Sequence, residues 1–164
     1  MDAYIFWKLV HLLSACVLFG TGMGIAFFAW FGYRRAMKIG EIDGLRTVLH
    51  LTVIADTVFT APAVLIQLIS GVVLINLNHW SLISPWALTA MGLYAIVGLF
   101  WLPVVVIQIL MKQEADRALS IAELKENFHQ RFKIWFVLGI PAFLIVIGIF
   151  YLMISKPLAV IVIN

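Results

Sequence analysis

Few side chains in this 164-residue chain could act as an acid, a base or a metal ligand, and the apolar stretches make those few conspicuous. His11, Asp56, Gln67, Ser70, Met91 and Tyr94 all lie inside long hydrophobic runs. A histidine and a methionine can ligate haem iron from opposite sides. His11 and Met91 fall at similar depth in their segments, with Tyr94 nearby and the glycines Gly71 and Gly148 leaving room beside them. One candidate chemistry is therefore a b-type haem held by His11, with Met91 as second ligand. The other reading of His11 is a hydrogen bond to a neighbouring helix, a common use of polar side chains in membranes. Asp56 is the sole acidic residue within its hydrophobic run. Two roles are open to it: an ion pair with Arg34, Arg35, Arg131 or Lys133, or a carboxylate that admits a proton.

Other chemistries are poorly supplied. No two histidines stand three or four residues apart, so no helix presents a histidine pair suited to zinc. A single cysteine, Cys16, excludes a disulfide framework and reads as a small packing residue. Leu13-Ser14-Ala15-Cys16 resembles a lipoprotein-processing box, but the apolar run continues past Cys16, as in an uncleaved helix. Gly20-Thr21-Gly22-Met23-Gly24 resembles part of a phosphate loop, yet no strand precedes it.

The elements that must position these residues follow from charge. No Asp, Glu, Lys or Arg lies between Lys8 and Arg34 or between Lys133 and Lys156, and only Asp56 lies between Arg46 and Lys112. A spanning helix needs about 20 predominantly apolar residues. The outer gaps hold one helix each and the middle gap holds two. With 64% hydrophobic and 12% charged residues and a mean hydropathy of +1.09, the chain reads as one integral membrane domain over 1–164. The expected fold is all-α, a polytopic four-helix bundle with spans near 4–33, 45–76, 85–111 and 133–155. A net charge of +3 carried in short loops indicates topology, not nucleic-acid binding.

Basic residues load the first loop (Arg34, Arg35, Lys38, Arg46) and the third (Lys112, Arg117, Lys125, Arg131, Lys133), while the second has His79 alone. Basic loops stay cytoplasmic, which predicts N-out, C-out topology with a short periplasmic loop and two basic cytoplasmic loops in a bacterial inner membrane. Trp7, Trp80, Trp86 and Tyr151 suit an outer aromatic belt, Tyr33 and Trp135 an inner one. Residues 113–130 read as an amphipathic helical stretch, with Ser120 and Glu123 matching a capping box. The apolar tail 158–163 is too short to span and would lie along the interface.

Helical spacing puts Ser14, Ala15, Leu18, Gly22, Ala26 and Ala29 on the face of His11, and all but Leu18 are small residues that favour close approach. On the second span, Asp56, Thr60, Gln67 and Ser70 form a polar stripe expected to face inward. On the third, Tyr94, Trp101 and Gln108 share a face with Met91. Pro62, Pro103 and Pro141 are expected to interrupt the second, third and fourth spans, either to leave internal space in the bundle or as simple kinks.

Trp7-Lys8-Leu9-Val10-His11, the segment from Asp56 to Gly71, Trp101-Leu102-Pro103, Gly139-Ile140-Pro141-Ala142-Phe143 and Lys156-Pro157 together resemble an uncharacterised family of bacterial four-helix membrane proteins. That family is similar in pattern to the HemJ-type protoporphyrinogen oxidases and the CopD-type copper-resistance proteins. The resemblance to HemJ implies haem b on His11; this third span lacks the basic residue and histidine of that type. Three functions follow as expectations: a single-haem redox protein working with quinone, a non-catalytic subunit packed on a larger membrane complex or on its own copy, and a copper-handling protein, for which Met91, Met153, His11 and His79 are few. The lipid bilayer is the surrounding partner in all three.

Overall fold

The computed structural model describes residues 2–155. Among these residues every regular element is helical: α1 (Ala3–Ile39), α2 (Ile42–Ala55), a π-helical turn (Asp56–Thr60), α3 (Ala61–Leu77), α4 (Pro85–Arg117), a single 3-10 turn (Ile121–Glu123) and α5 (Glu126–Ser155). Helices α2 and α3 join through the π turn into one rod, so four helices are long and apolar enough to cross a membrane. The protein is an integral, multi-pass membrane protein.

The helices outrun the expected spans because charge alone does not end a helix. Asp2 caps α1 by accepting the Tyr4 N–H at 3.2 Å. The helix then passes Arg34 and Arg35 and stops only at Gly40, whose φ of 73° lets its N–H return to the Ala36 carbonyl at 2.9 Å. At ~1.5 Å per residue, such a helix projects beyond a hydrocarbon core ~30 Å thick. Helix α4 likewise continues to Arg117 and α5 starts at Glu126. The amphipathic stretch expected over 113–130 therefore reduces to a short connection with one 3-10 turn. The capping box does not form: Ser120 makes no side-chain cap, and the Glu123 carboxylate accepts the Leu119 N–H at 2.8 Å.

Of the three prolines, Pro62 is the one that follows a π-helical turn. Its ring would clash with a carbonyl one turn earlier. The chain absorbs this with one extra residue per turn, the Ala61 N–H reaching back five residues to the Asp56 carbonyl. The interruptions expected at Pro103 and Pro141 do not occur, since α4 and α5 run through them. The tail 158–163 and Lys156-Pro157 lie outside the described residues.

Packing is uneven along the bundle. The larger core sits at the basic end, where Leu45, Leu49, Met111, Ala115, Phe128 and Phe132 are buried. Tyr33 stacks on Phe132 with ring centroids 4.0 Å apart, and Trp30 lies 4.5 Å from Phe136. A smaller core of Ile75, Trp86, Ala87, Ala90 and Leu152 closes the other end. Helix α1 packs tightly on α2 at Gly32, where a Cβ would stand 2.7 Å from Val48 Cγ2. By contrast Gly22, expected to mediate close approach, has nothing within 4 Å of its Cβ direction, and Cys16, expected to pack, is exposed.

Candidate functional site

Two polar clusters lie on the rod formed by α2 and α3, one at the π turn and one about three turns further along. The first centres on Asp56, which is 6% exposed. Trp101 Nε1 donates to its Oδ1 at 3.2 Å and Gln108 Nε2 donates to its Oδ2 at 2.6 Å. From α5, Trp135 Nε1 donates to Gln108 Oε1 at 3.3 Å. An indole N–H can only donate. Trp135 therefore fixes which end of the Gln108 amide is the acceptor, and turns the NH2 toward Asp56. Helix α4 thus aims two neutral donors at the carboxylate, and α5 orients one of them.

The expected ion pair of Asp56 is absent among the described residues. Arg131 pairs with Glu114 at 2.8 Å, Arg34 lies over the Trp30 ring at 5.8 Å, and Arg35 and Lys133 are exposed. The reason is depth. Arg131 stands a full turn, ~6 Å, nearer the helix end than Trp135, which already lies at the level of Gln108. Trp135 itself corrects an expectation: it is buried in the bundle and not in an interfacial belt. On the same π turn Thr60 is also buried, and its Oγ1 has no hydrogen-bond partner among the described residues.

The second cluster centres on His11. Its Nδ1 lies 2.8 Å from Ser70 Oγ and its Nε2 lies 2.9 Å from Gln67 Nε2. Ser70 spends its own proton on the Ile66 carbonyl at 2.6 Å. Its oxygen therefore accepts from His11, which places the ring proton on Nδ1 and leaves Nε2 to accept from the Gln67 amide. Ser14 Oγ completes the set through Gln67 Oε1 and the His11 carbonyl. The tautomer is assigned by this network. Gly71 allows the ring in: a Cβ there would stand 3.3 Å from His11 Cε1.

This arrangement does not fit an axially ligated macrocycle as it stands. Both ring nitrogens of His11 are engaged, and the space beside Gly71 is filled by the imidazole itself. Tyr94 is committed elsewhere, its OH donating to the Val64 carbonyl at 2.8 Å. Met91 is 41% exposed, and Gly148 is exposed with nothing within 4 Å of its Cβ direction. Among the described residues no three His, Cys, Asp or Glu side chains form a metal-sized group.

Sequence spacing had put Trp101 and Gln108 on one face of the third span and Asp56 on the inner face of the second. What it missed was Trp135 and the pairing of Tyr33 with His129, whose Oη and Nδ1 are 2.7 Å apart. A usable signal existed for the first: Trp135 shares the face of Phe128 and Phe132, both buried.

Comparison with characterised proteins and with solved structures finds no match. The resemblance to HemJ and CopD thus gains no support from them. The match that does extend over the bundle covers residues 5–157 and includes both polar clusters. By that match the chain belongs to the family DUF2269, described as predicted integral membrane proteins.

Proposed function

We propose that the protein is a non-catalytic subunit of a larger membrane complex, in which Asp56 is the tie that holds α4 and α5 on α2. The observation behind this reading is a buried carboxylate inside a candidate span, faced among the described residues by indole and amide donors and by no cation. Buried polar groups are costly unless they are hydrogen-bonded, so the carboxylate and its donors each need the other. Because its donors come from α4 and are oriented from α5, Asp56 is coupled to how those helices pack on α2.

The test is thermal unfolding in a mild detergent, with partners followed by co-purification from native membranes. Asp56→Leu is expected to lower the unfolding temperature and to release the co-purifying subunits, while Glu123→Leu does neither. An unchanged unfolding temperature in Asp56→Leu, or a wild-type protein that purifies with a chromophore and without partners, would overturn the proposal.

A further inference from the structure

At the basic end of the bundle a cavity of about 480 Å3 opens between α4, α5 and their connection. Its wall carries Leu110, Gln113 and Arg117 from α4, Lys125 from the connection, and Asn127 and Arg131 from α5. Two acids also line it, and both are occupied. Glu114 holds Arg131 at 2.8 Å, and Glu123 accepts the Leu119 N–H at 2.8 Å. Among the described residues, Arg117 and Lys125 make no ion pair or side-chain hydrogen bond. The carbonyl end of α4, which would repel an anion, is satisfied from the far side: Arg46 donates to the Ala115 carbonyl at 2.9 Å and also to that of Ala118. The cavity therefore presents two free cations and two side-chain amides.

The polar wall continues an apolar track. Leu99, Leu102, Val106 and Leu110 are 71%, 58%, 56% and 38% exposed. They recur every three or four residues, which places them on one face of α4, and Gln113 and Arg117 extend the same face. Along a single helix face the surface thus changes from acyl-chain chemistry to phosphate-binding chemistry, in the order that a phospholipid presents its tail and headgroup.

We propose that this cavity binds the phosphate of an anionic phospholipid, with Arg117 and Lys125 as its charged contacts and the Leu99-to-Leu110 face receiving an acyl chain. The full-length protein, in a mild detergent, would be titrated with phosphatidylglycerol and phosphatidylcholine and the bound lipid read by native mass spectrometry. Preferential retention of phosphatidylglycerol is expected. A basic side chain near an anionic lipid contributes ~1 kcal/mol, about fivefold. Lys125→Gln should therefore weaken retention roughly fivefold, and the Arg117→Gln, Lys125→Gln pair by tenfold or more. Lys133→Gln, a cation outside the cavity, and Arg117→Lys should leave it within twofold. Equal binding of the two lipids overturns the proposal, as does an equal loss from Lys133→Gln. Complete displacement of phosphatidylglycerol by millimolar inorganic phosphate, with phosphate itself bound by the lipid-free protein, would make the site one for free phosphate and overturn the lipid assignment. Should the paired variant fail to fold, Lys125→Gln, on an exposed connection, decides alone.

Discussion

Asp56 and His11 are satisfied in opposite ways. His11 sits in a network in which both ring nitrogens are engaged, Nδ1 by Ser70 and Nε2 by Gln67. Asp56 sits at the receiving end of a chain of donors. Removing the acceptor is therefore expected to be costly: Asp56→Leu strands the buried Gln108 amide, at about 1–3 kcal/mol when unpaired, and the half-buried Trp101 indole. Thermal unfolding in detergent should show a clear drop for Asp56→Leu. Glu123→Leu, on the exposed connection, should stay within about 0.5 kcal/mol. Loss of the second network should be milder. Interhelical hydrogen bonds in membranes average about 0.6 kcal/mol, because polar groups find other partners before the helices associate. Gln67→Leu and Ser70→Ala should accordingly each cost less than Asp56→Leu in the same assay. The reverse order would make the His11 cluster the principal tie.

At the scale of elements, the α1–α2 hairpin depends on Gly32, against which the Val48 side chain packs. A methyl group on Gly32 would stand 2.7 Å from Val48 Cγ2. Gly32→Ala should therefore destabilise the protein by about 1–3 kcal/mol, the usual range for overpacking, and trimming the opposing side chain in Gly32→Ala, Val48→Ala should restore part of the loss. A double-mutant cycle on thermal stability checks this, and strictly additive effects would refute the contact. Tryptophan fluorescence tests the π turn. With Pro62→Ala the ring no longer forbids a regular α-helix, and removing the extra residue from the turn would rotate Asp56 away from Trp101. The indole environment should change in that variant and not in Pro141→Ala, where the helix is already continuous.

For the whole molecule, the basic end is the better packed one, since the aromatic core, the Tyr33–His129 contact and the Arg131–Glu114 pair all lie there. Basic loops are expected to remain in the cytoplasm. In a Cys16→Ser background, a cysteine at Ser81 should react with an impermeant reagent from outside the cell and one at Ala122 only after the membrane is opened. Labelling in the opposite sense would invert the topology and place the Arg117–Lys125 cavity on the outer face.

The number of spans was legible in the sequence because charge is excluded from the hydrocarbon core, and that exclusion is written directly in residue type. The buried side of the second span was legible for the same reason: Asp56 and Ser70 recur at helical spacing, and both are buried. Helix ends were less legible. Arginine and lysine at an interface are compatible with continued helix, so α1 ended at Gly40 and not at Arg34. Partner choice was not legible at all. An arginine and an amide both suit a buried carboxylate, and only the depth at which α4 and α5 pack against α2 gave Asp56 to Gln108 and Trp101 while leaving Arg131 to Glu114. The same is true of His11, whose residue type suits a ligand and a hydrogen bond equally. The tertiary structure put Gln67 and Ser70 against its two nitrogens, because α1 and α3 approach closely where Gly71 has no side chain.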